Sequence, residues 1–204
     1  LKSCQQVFCA FVFDRNILNG LPKSDRRVAF IRESLTDLNA QLTQLGLPYL
    51  DLPAGLLVRH DTAKNALPDL AARLSVDAVF INHDDEPDSL ARDAEVQALL
   101  EVRGVAFHSF KDHVIFERKE VLTLASKPYT VYTPYKNAWL KKVDAFYLKP
   151  YPVQRYAAAL AARPADEPGD MPSLAELGFE STSLSALKIP TGSQGGDALF
   201  DDFL

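Results

Sequence analysis

The residues best suited to chemistry are the carboxylates of Asn82-His83-Asp84-Asp85-Glu86-Pro87-Asp88, which follow the apolar run Ala78-Val79-Phe80-Ile81. Carboxylates at the carboxyl end of a buried strand lie where open α/β sheets bind their ligands. The same residues read alternatively as the cap and negative charge of a helix start, favourable at the positive end of its dipole. The four histidines, His60, His83, His108 and His113, show no H-E-x-x-H or other zinc spacing, so no metal site is expected. Only 9 glycines are present, and none forms a G-x-x-x-x-G-K or G-x-G-x-x-G phosphate loop. No G-x-S-x-G elbow occurs, which argues against an α/β-hydrolase. An enzyme built on this chain would take its hard chemistry from a bound cofactor.

The elements that must position these residues alternate along the chain. Residues 7–13 are continuously apolar and read as a strand buried on both faces. A helix capped by Ser24 or Asp25 follows, with the stripe Phe30, Ile31, Leu35, Leu38, Leu42 and Leu45 and a stop at Gly46. Residues 47–52 and 55–59 read as short strands. Thr62 caps a second helix to about residue 74, with Pro68 marking an initial turn and a restart. A strand at 78–81, a helix at about 88–103 and a strand at 105–108 complete the pattern. Strands alternating with helices imply parallel crossovers. The expected architecture is α/β: a doubly wound, mostly parallel five-stranded sheet flanked by helices, in a Rossmann-like arrangement.

Past residue 109 the pattern changes. Residues 113–116 and 121–124 flank a charged turn and read as short strands or extended loop. Thr133 with Pro134 marks a helix start, with Trp139, Leu140, Val143 and Phe146 on the apolar side. From residue 149 the chain turns rich in Pro, Ala, Ser and Gly, a long linker with short helices at 153–162 and 173–177. Residues 195–204 start another amphipathic helix. The expected division is an α/β domain at 1–150, a linker at 151–194 and the truncated beginning of a helical domain at 195–204.

Composition narrows the functional classes. With 47% hydrophobic and 24% charged residues, the 204-residue chain is of globular type. No apolar run approaches the ~20 residues of a membrane helix, so no membrane association is expected. Leu1-Lys2-Ser3-Cys4 does not open a secretory signal. Cys4 and Cys9 form neither a metal pair nor a disulfide framework and fit a reducing cytoplasm, the expected location; a monomer is expected. A net charge of −5 argues against the whole surface binding nucleic acid, so a local patch or another domain must supply the positive field. Lys136, Lys141 and Lys142 form such a patch, although solvated helix lysines are the default reading. Trp139 with Tyr129, Tyr132 and Tyr135 reads either as a stacking platform for nucleic acid or, the favoured reading, as packing of the helix onto the sheet.

Several segments, in order, resemble the DNA photolyases of the photolyase/cryptochrome family. They are Phe11-Val12-Phe13-Asp14 with Ile17-Leu18, Arg26-Arg27-Val28-Ala29-Phe30-Ile31, and Asn82-His83-Asp84-Asp85-Glu86-Pro87, similar to an N-x-D-x-E-P signature with Arg92-Asp93 behind it. Phe110-Lys111-Asp112-His113-Val114-Ile115-Phe116 follows, and then Tyr129-Thr130-Val131-Tyr132-Thr133-Pro134-Tyr135-Lys136-Asn137-Ala138-Trp139-Leu140-Lys141, the most specific block. The resemblance implies the amino-terminal antenna domain of a light-driven enzyme that splits cyclobutane pyrimidine dimers in damaged DNA. It implies that the first strand of the family domain is missing here. A helical domain holding FAD is likewise absent, so the fragment alone is not expected to be catalytic.

The resemblance also implies a small-molecule chromophore and a cofactor-binding set of Val12, Phe13, Asp14, Arg27, Asp84 and Glu86. Relatives using 8-hydroxy-5-deazaflavin or FMN place an Asp, a Glu and an Arg where Asp84, Glu86 and Arg27 stand, and that antenna is favoured. Two carboxylates and a guanidinium suit a ribityl chain and a flavin-like ring edge. Methenyltetrahydrofolate comes second, because its expected Asn-Glu pair falls on Asp88 and Ser89 and its histidine on about Leu21. Arg92 and Asp93 are expected to pair structurally. The alternatives are a cryptochrome-type photoreceptor without repair activity and a generic nucleotide-binding module, which the missing Gly-rich loop disfavours.

Overall fold

The structure, a computed structural model, describes residues 4–151 and 153–204. The opening Leu1, Lys2 and Ser3, read above for a signal, and Pro152 of the linker lie outside the described residues. The chain forms two compact units, Leu1–Leu67 with Pro152–Leu204, and Pro68–Tyr151.

In the first unit, strand β1 (Cys9–Val12) pairs in parallel with β2 (Leu56–Arg59), Cys9 opposite Leu56 and Val12 opposite Arg59. Parallel pairing demands a crossover, supplied by helix α2 (Arg26–Gly46) after the single turn α1 (Arg15–Leu18). Asp25 serves as the N-cap of α2 and accepts from Arg27 N at 2.9 Å. β1 is not buried on both faces, since Ala10 is exposed and its neighbours are half-buried. Before it, Val7 N donates to Ala159 O at 2.8 Å and Ala161 N to Val7 O at 3.0 Å, a parallel bridge rather than a strand.

The core of this unit is Phe13, Val28, Leu35 and Leu56 with Leu177 and Phe179. The stripe expected on α2 is corrected: Phe30, Ile31 and Leu38 remain 37%, 42% and 39% exposed. The inward face is Val28, Leu35 and Leu42, with polar Arg32, Asn39 and Thr43 at helical spacing between them. Those side chains satisfy backbone groups that would otherwise be buried unpaired. Asn39 Oδ1 accepts from Leu56 N at 2.8 Å, Arg32 Nε donates to Pro172 O at 2.7 Å, and Thr43 Oγ1 to Ala54 O at 3.0 Å.

Residues 153–191 pack closely onto this frame. A 3-10 helix, Val153–Ala159, leads into the bridge to Val7, and a second spans Leu184–Leu187. Arg59 forks the Glu167 carboxylate through bonds of 2.8 and 2.5 Å, and the Glu167 side chain is 1% exposed. Helix α6 (Gly192–Phe203) starts three residues before position 195, because Ser34 Oγ accepts from Gly192 N and Asp37 Oδ2 from Ser193 N at 3.1 and 2.9 Å.

Helix α3 (Ala63–Leu74) carries the chain into the second unit and runs through Pro68 without the expected restart; the buried ring forfeits a single ladder bond. There β3 (Ala78–Asn82) pairs in parallel with β4 (Ala106–Phe110), Ala78 opposite Ala106, through the crossover α4 (Pro87–Val102). Pro87 at the first helical position supplies a preset φ where no backbone donor is needed. Gly104, at φ 74°, lets Val105 N return to Leu100 O at 3.0 Å and start β4. Residues 113–116 and 121–124 are loop. Helix α5 (Tyr132–Lys142) begins one residue before Thr133, and Val131 holds the cap position.

The expected single five-stranded sheet is corrected. Among the described residues four strands form two separate parallel pairs, β1–β2 and β3–β4. The fifth segment, residues 47–52, turns back on α2 instead, with Tyr49 N and Leu50 N both donating to Gly46 O at 2.9 and 3.1 Å. Gly46 is needed there, since a Cβ would stand 2.8 Å from that of Ala54.

Candidate functional site

Four of the expected ligand residues come together in the first unit. Val12, Phe13 and Asp14 leave the carboxyl end of β1, and Arg27 lies in the first turn of α2. With Phe11, Ile17, Leu18, Leu21, Val28 and Ile31 they line a cleft of 260 Å³. Phe11 and Phe13 meet edge to face, ring centroids 5.0 Å apart. Small-molecule sites run from ~300 to ~1,000 Å³, and this cleft falls just below that range.

The polar residues of the cleft differ in their freedom. Asp14 is 6% exposed, and both its oxygens are engaged: Oδ1 accepts from Asn16 N at 2.9 Å and Oδ2 from Ala63 N at 3.2 Å. It therefore caps α1 and the start of α3 at once and fixes the floor of the cleft. Arg27 is exposed and forks its neighbour Asp25, Nε to Oδ1 at 3.0 Å and a terminal nitrogen to Oδ2 at 2.6 Å. That side-chain bond holds the Asp25 carboxyl below, and the Arg27 guanidinium above, their ordinary ranges.

Asp84 and Glu86 belong to the second unit, at the carboxyl end of β3. Asp84 Oδ1 accepts from Glu86 N at 3.2 Å, and Glu86 occupies the N-cap position of α4 without a side-chain cap bond. The rest of this acidic run is tied down by partners that spacing alone did not reveal. His83 Nδ1 lies 2.8 Å from Ser109 Oγ and its Nε2 2.6 Å from Glu117 Oε2. Arg118 binds Asp85 at 2.8 Å, and Asn82 Nδ2 donates to Asp112 Oδ1 at 3.2 Å. The readable hint is the charged turn 117–120, whose Arg118 complements the carboxylates of the run in sign. Arg92 pairs with Asp93, Nε to Oδ1 at 2.9 Å, within α4.

A protein of parallel β-α-β units, with an apolar cleft opening at the carboxyl end of a strand, is of the α/β class. The DNA photolyase family profile matches residues 1–156, and the chain belongs to that family. It is 32% identical over 199 residues to the deoxyribodipyrimidine photo-lyase of Halobacterium salinarum, covering 97% of this chain and 38% of that protein. Its fold is similar to that of a bacterial class III photolyase from Agrobacterium tumefaciens (TM-score 0.57, 22% identity, 92% of this chain and 34% of that one). It also resembles an archaeal photolyase from Sulfolobus tokodaii, a structure with two FAD molecules that implies a novel light-harvesting cofactor (TM-score 0.55, 23% identity, 71% of this chain and 30% of that one). The chain spans 38% of the length of the Halobacterium relative.

Proposed function

We propose that this chain is the light-harvesting domain of a DNA photolyase and that the cleft at the end of β1 seats a flavin-type chromophore, 8-hydroxy-5-deazaflavin or FMN. The observation that carries this reading is the apolar, aromatic-walled cleft with one guanidinium at its edge, in a member of this family. The two FAD molecules of the Sulfolobus tokodaii protein, similar in fold, favour a flavin over a folate. When bound, the chromophore supplies absorption of near-ultraviolet or blue light and passes the excitation to FAD. The residues of this chain bind and orient it. Phe11 and Phe13 pack the ring, Ile17, Leu18 and Leu21 exclude water, and Arg27 presents donors to a ring carbonyl edge. Asp14 acts indirectly, by holding the two helix starts that shape the floor. Asp84 and Glu86 are ligands on the family likeness alone.

In the parent protein, residues 1–150 form the antenna domain, 151–194 an ordered segment that packs on it rather than a free linker, and 195–204 the beginning of a FAD-holding helical domain. That protein repairs cyclobutane pyrimidine dimers in damaged DNA, in the cytoplasm. The test is a titration of the 204-residue chain with FMN and, in parallel, with methenyltetrahydrofolate. Saturable quenching of FMN emission is expected, weakened about tenfold or more by Ile31→Trp, which fills the cleft from a 42% exposed position. Binding of adenine nucleotides with no response to flavin or folate would reject the reading.

A further inference from the structure

The second unit carries a cluster of reactive side chains that chromophore binding does not use. Ser109 is exposed near the carboxyl end of β4, and His83 directly follows β3. His83 Nδ1 stands 2.8 Å from Ser109 Oγ, and its Nε2 2.6 Å from Glu117 Oε2. Ile81 is the register partner of Ser109, so two parallel strands deliver the serine and the histidine to one end of the pair. His83 N donates to Phe110 O at 2.9 Å, which fixes the histidine backbone beside the serine. The His83 side chain is 13% exposed and that of Glu117 24%.

A fastening role alone does not account for the order of these three groups. The loop that carries Glu117 is already tied down by Asn82 Nδ2 to Asp112 Oδ1 at 3.2 Å and by Arg118 to Asp85 at 2.8 Å. An ionised carboxylate only accepts, so Glu117 holds the imidazole proton on Nε2. Nδ1 is then an acceptor facing a hydroxyl that donates to it. A nucleophile, a base within hydrogen-bond reach and a carboxylate orienting that base are the parts that activate a serine, recognised by geometry and roles. The missing G-x-S-x-G elbow excludes one fold's version of this arrangement and not the arrangement itself.

We propose that Ser109 is a nucleophile toward acyl groups and that the chain hydrolyses small activated carboxylic esters there. Ser109 Oγ bonds to the ester carbonyl carbon as its proton passes to His83 Nδ1. The bond from that carbon to the alkoxy oxygen breaks, and the departing alcohol takes the proton from His83. Water then attacks the acyl-serine and gives a proton to Nδ1, which returns it to Ser109 Oγ as the carboxylic acid leaves. Ser109 and His83 are the catalytic residues, and Glu117 is a positioning residue that acts through His83. The exposed hydroxyl admits small acyl groups without enclosing them. All three residues belong to one unit, so the inference is independent of what fills the cleft beside β1.

Intact-mass analysis of the 204-residue chain after incubation with a fluorophosphonate probe should show a single adduct, which peptide mapping assigns to Ser109. The chain should also hydrolyse p-nitrophenyl acetate with turnover. Ser109→Ala, at an exposed position, should abolish both reactions while far-UV circular dichroism stays that of the parent. Glu117→Gln should lower kcat about a hundredfold with KM unchanged, because the imidazole proton is no longer held on Nε2. A carboxylate that only fastens its loop would not separate the two constants in that way. His83→Gln should slow adduct formation by a similar factor, about a hundredfold. No adduct, an adduct at another hydroxyl, hydrolysis that survives Ser109→Ala, or a Glu117→Gln chain that reacts like the parent would each overturn the proposal.

Discussion

Glu167→Ala tests whether residues 153–191 are part of the folded frame. The Glu167 side chain is 1% exposed and held by two bonds to Arg59, itself 23% exposed at the end of β2. Removing one partner of a buried pair typically costs about 3–5 kcal/mol, chiefly because the other charge is left without compensation. Arg59 can recover some water, which places Glu167→Ala near the lower bound, about 3 kcal/mol. Arg59→Leu removes the forked guanidinium from the more deeply buried member and should cost at least as much, about 3–5 kcal/mol. Against a typical net stability of about 5–15 kcal/mol, either loss is large. With a urea dependence of about 2 kcal/mol per molar, Glu167→Ala should lower the far-UV circular dichroism midpoint by about 1.5 M. The double variant Arg59→Leu/Glu167→Leu should recover most of that loss, since it leaves no unpaired charge. A midpoint shift below about 0.3 M for Glu167→Ala, or an additive double variant, would refute the reasoning.

Asp14→Ala removes acceptors from two helix starts and should lower stability by about 2 kcal/mol, read as a fall in Tm; an unchanged Tm would show that water replaces both caps. The Glu120 carboxyl is held below its ordinary 4.5 first by the Lys111 ammonium, then by the Glu117 amide it accepts at 2.6 Å. A depressed folded value means that its contribution is full above the ordinary range and is lost as pH falls through the folded value. The Glu117 amide resonance should therefore titrate with a midpoint below 4.5, and a midpoint at or above it would contradict the pairing. Burial pushes the Cys9 thiol above its ordinary range, so a disulfide reagent at neutral pH should modify it slowly and unfolding should speed the reaction; labelling at the free-thiol rate would show that it is open to water.

Much of the frame could be read from residue pattern alone. Parallel β-α-β units follow from apolar runs alternating with helical stripes, and Asp25 marks a helix start through capping chemistry that pattern reading captures. Residues 47–52 deceived because alternation between Leu and polar positions resembles a strand, whereas the deciding fact is a pair of bonds back to Gly46. The α2 stripe was misjudged for a related reason. Arg32 and Asn39 face inward to satisfy backbone groups 140 and 17 residues away, and no hydrophobicity pattern contains that information. The segment from 153 onward looked like linker because its Pro, Ser and Ala content mimics one. Leu177, Phe179 and Glu167 became core residues only once β2 and α2 were there to receive them. At the cleft, Phe13 and Arg27 are singled out by the family resemblance and not by residue pattern, and the double capping by Asp14 depends on Ala63, far along the chain.

The most direct test of the central claim is amide chemical-shift mapping of the 204-residue chain on addition of FMN. Perturbations concentrated at residues 11–14, 17–21 and 27–31 are expected if the flavin ring enters the cleft beside β1. Shifts confined to α5, or no saturable shifts while the protein remains folded, would contradict it.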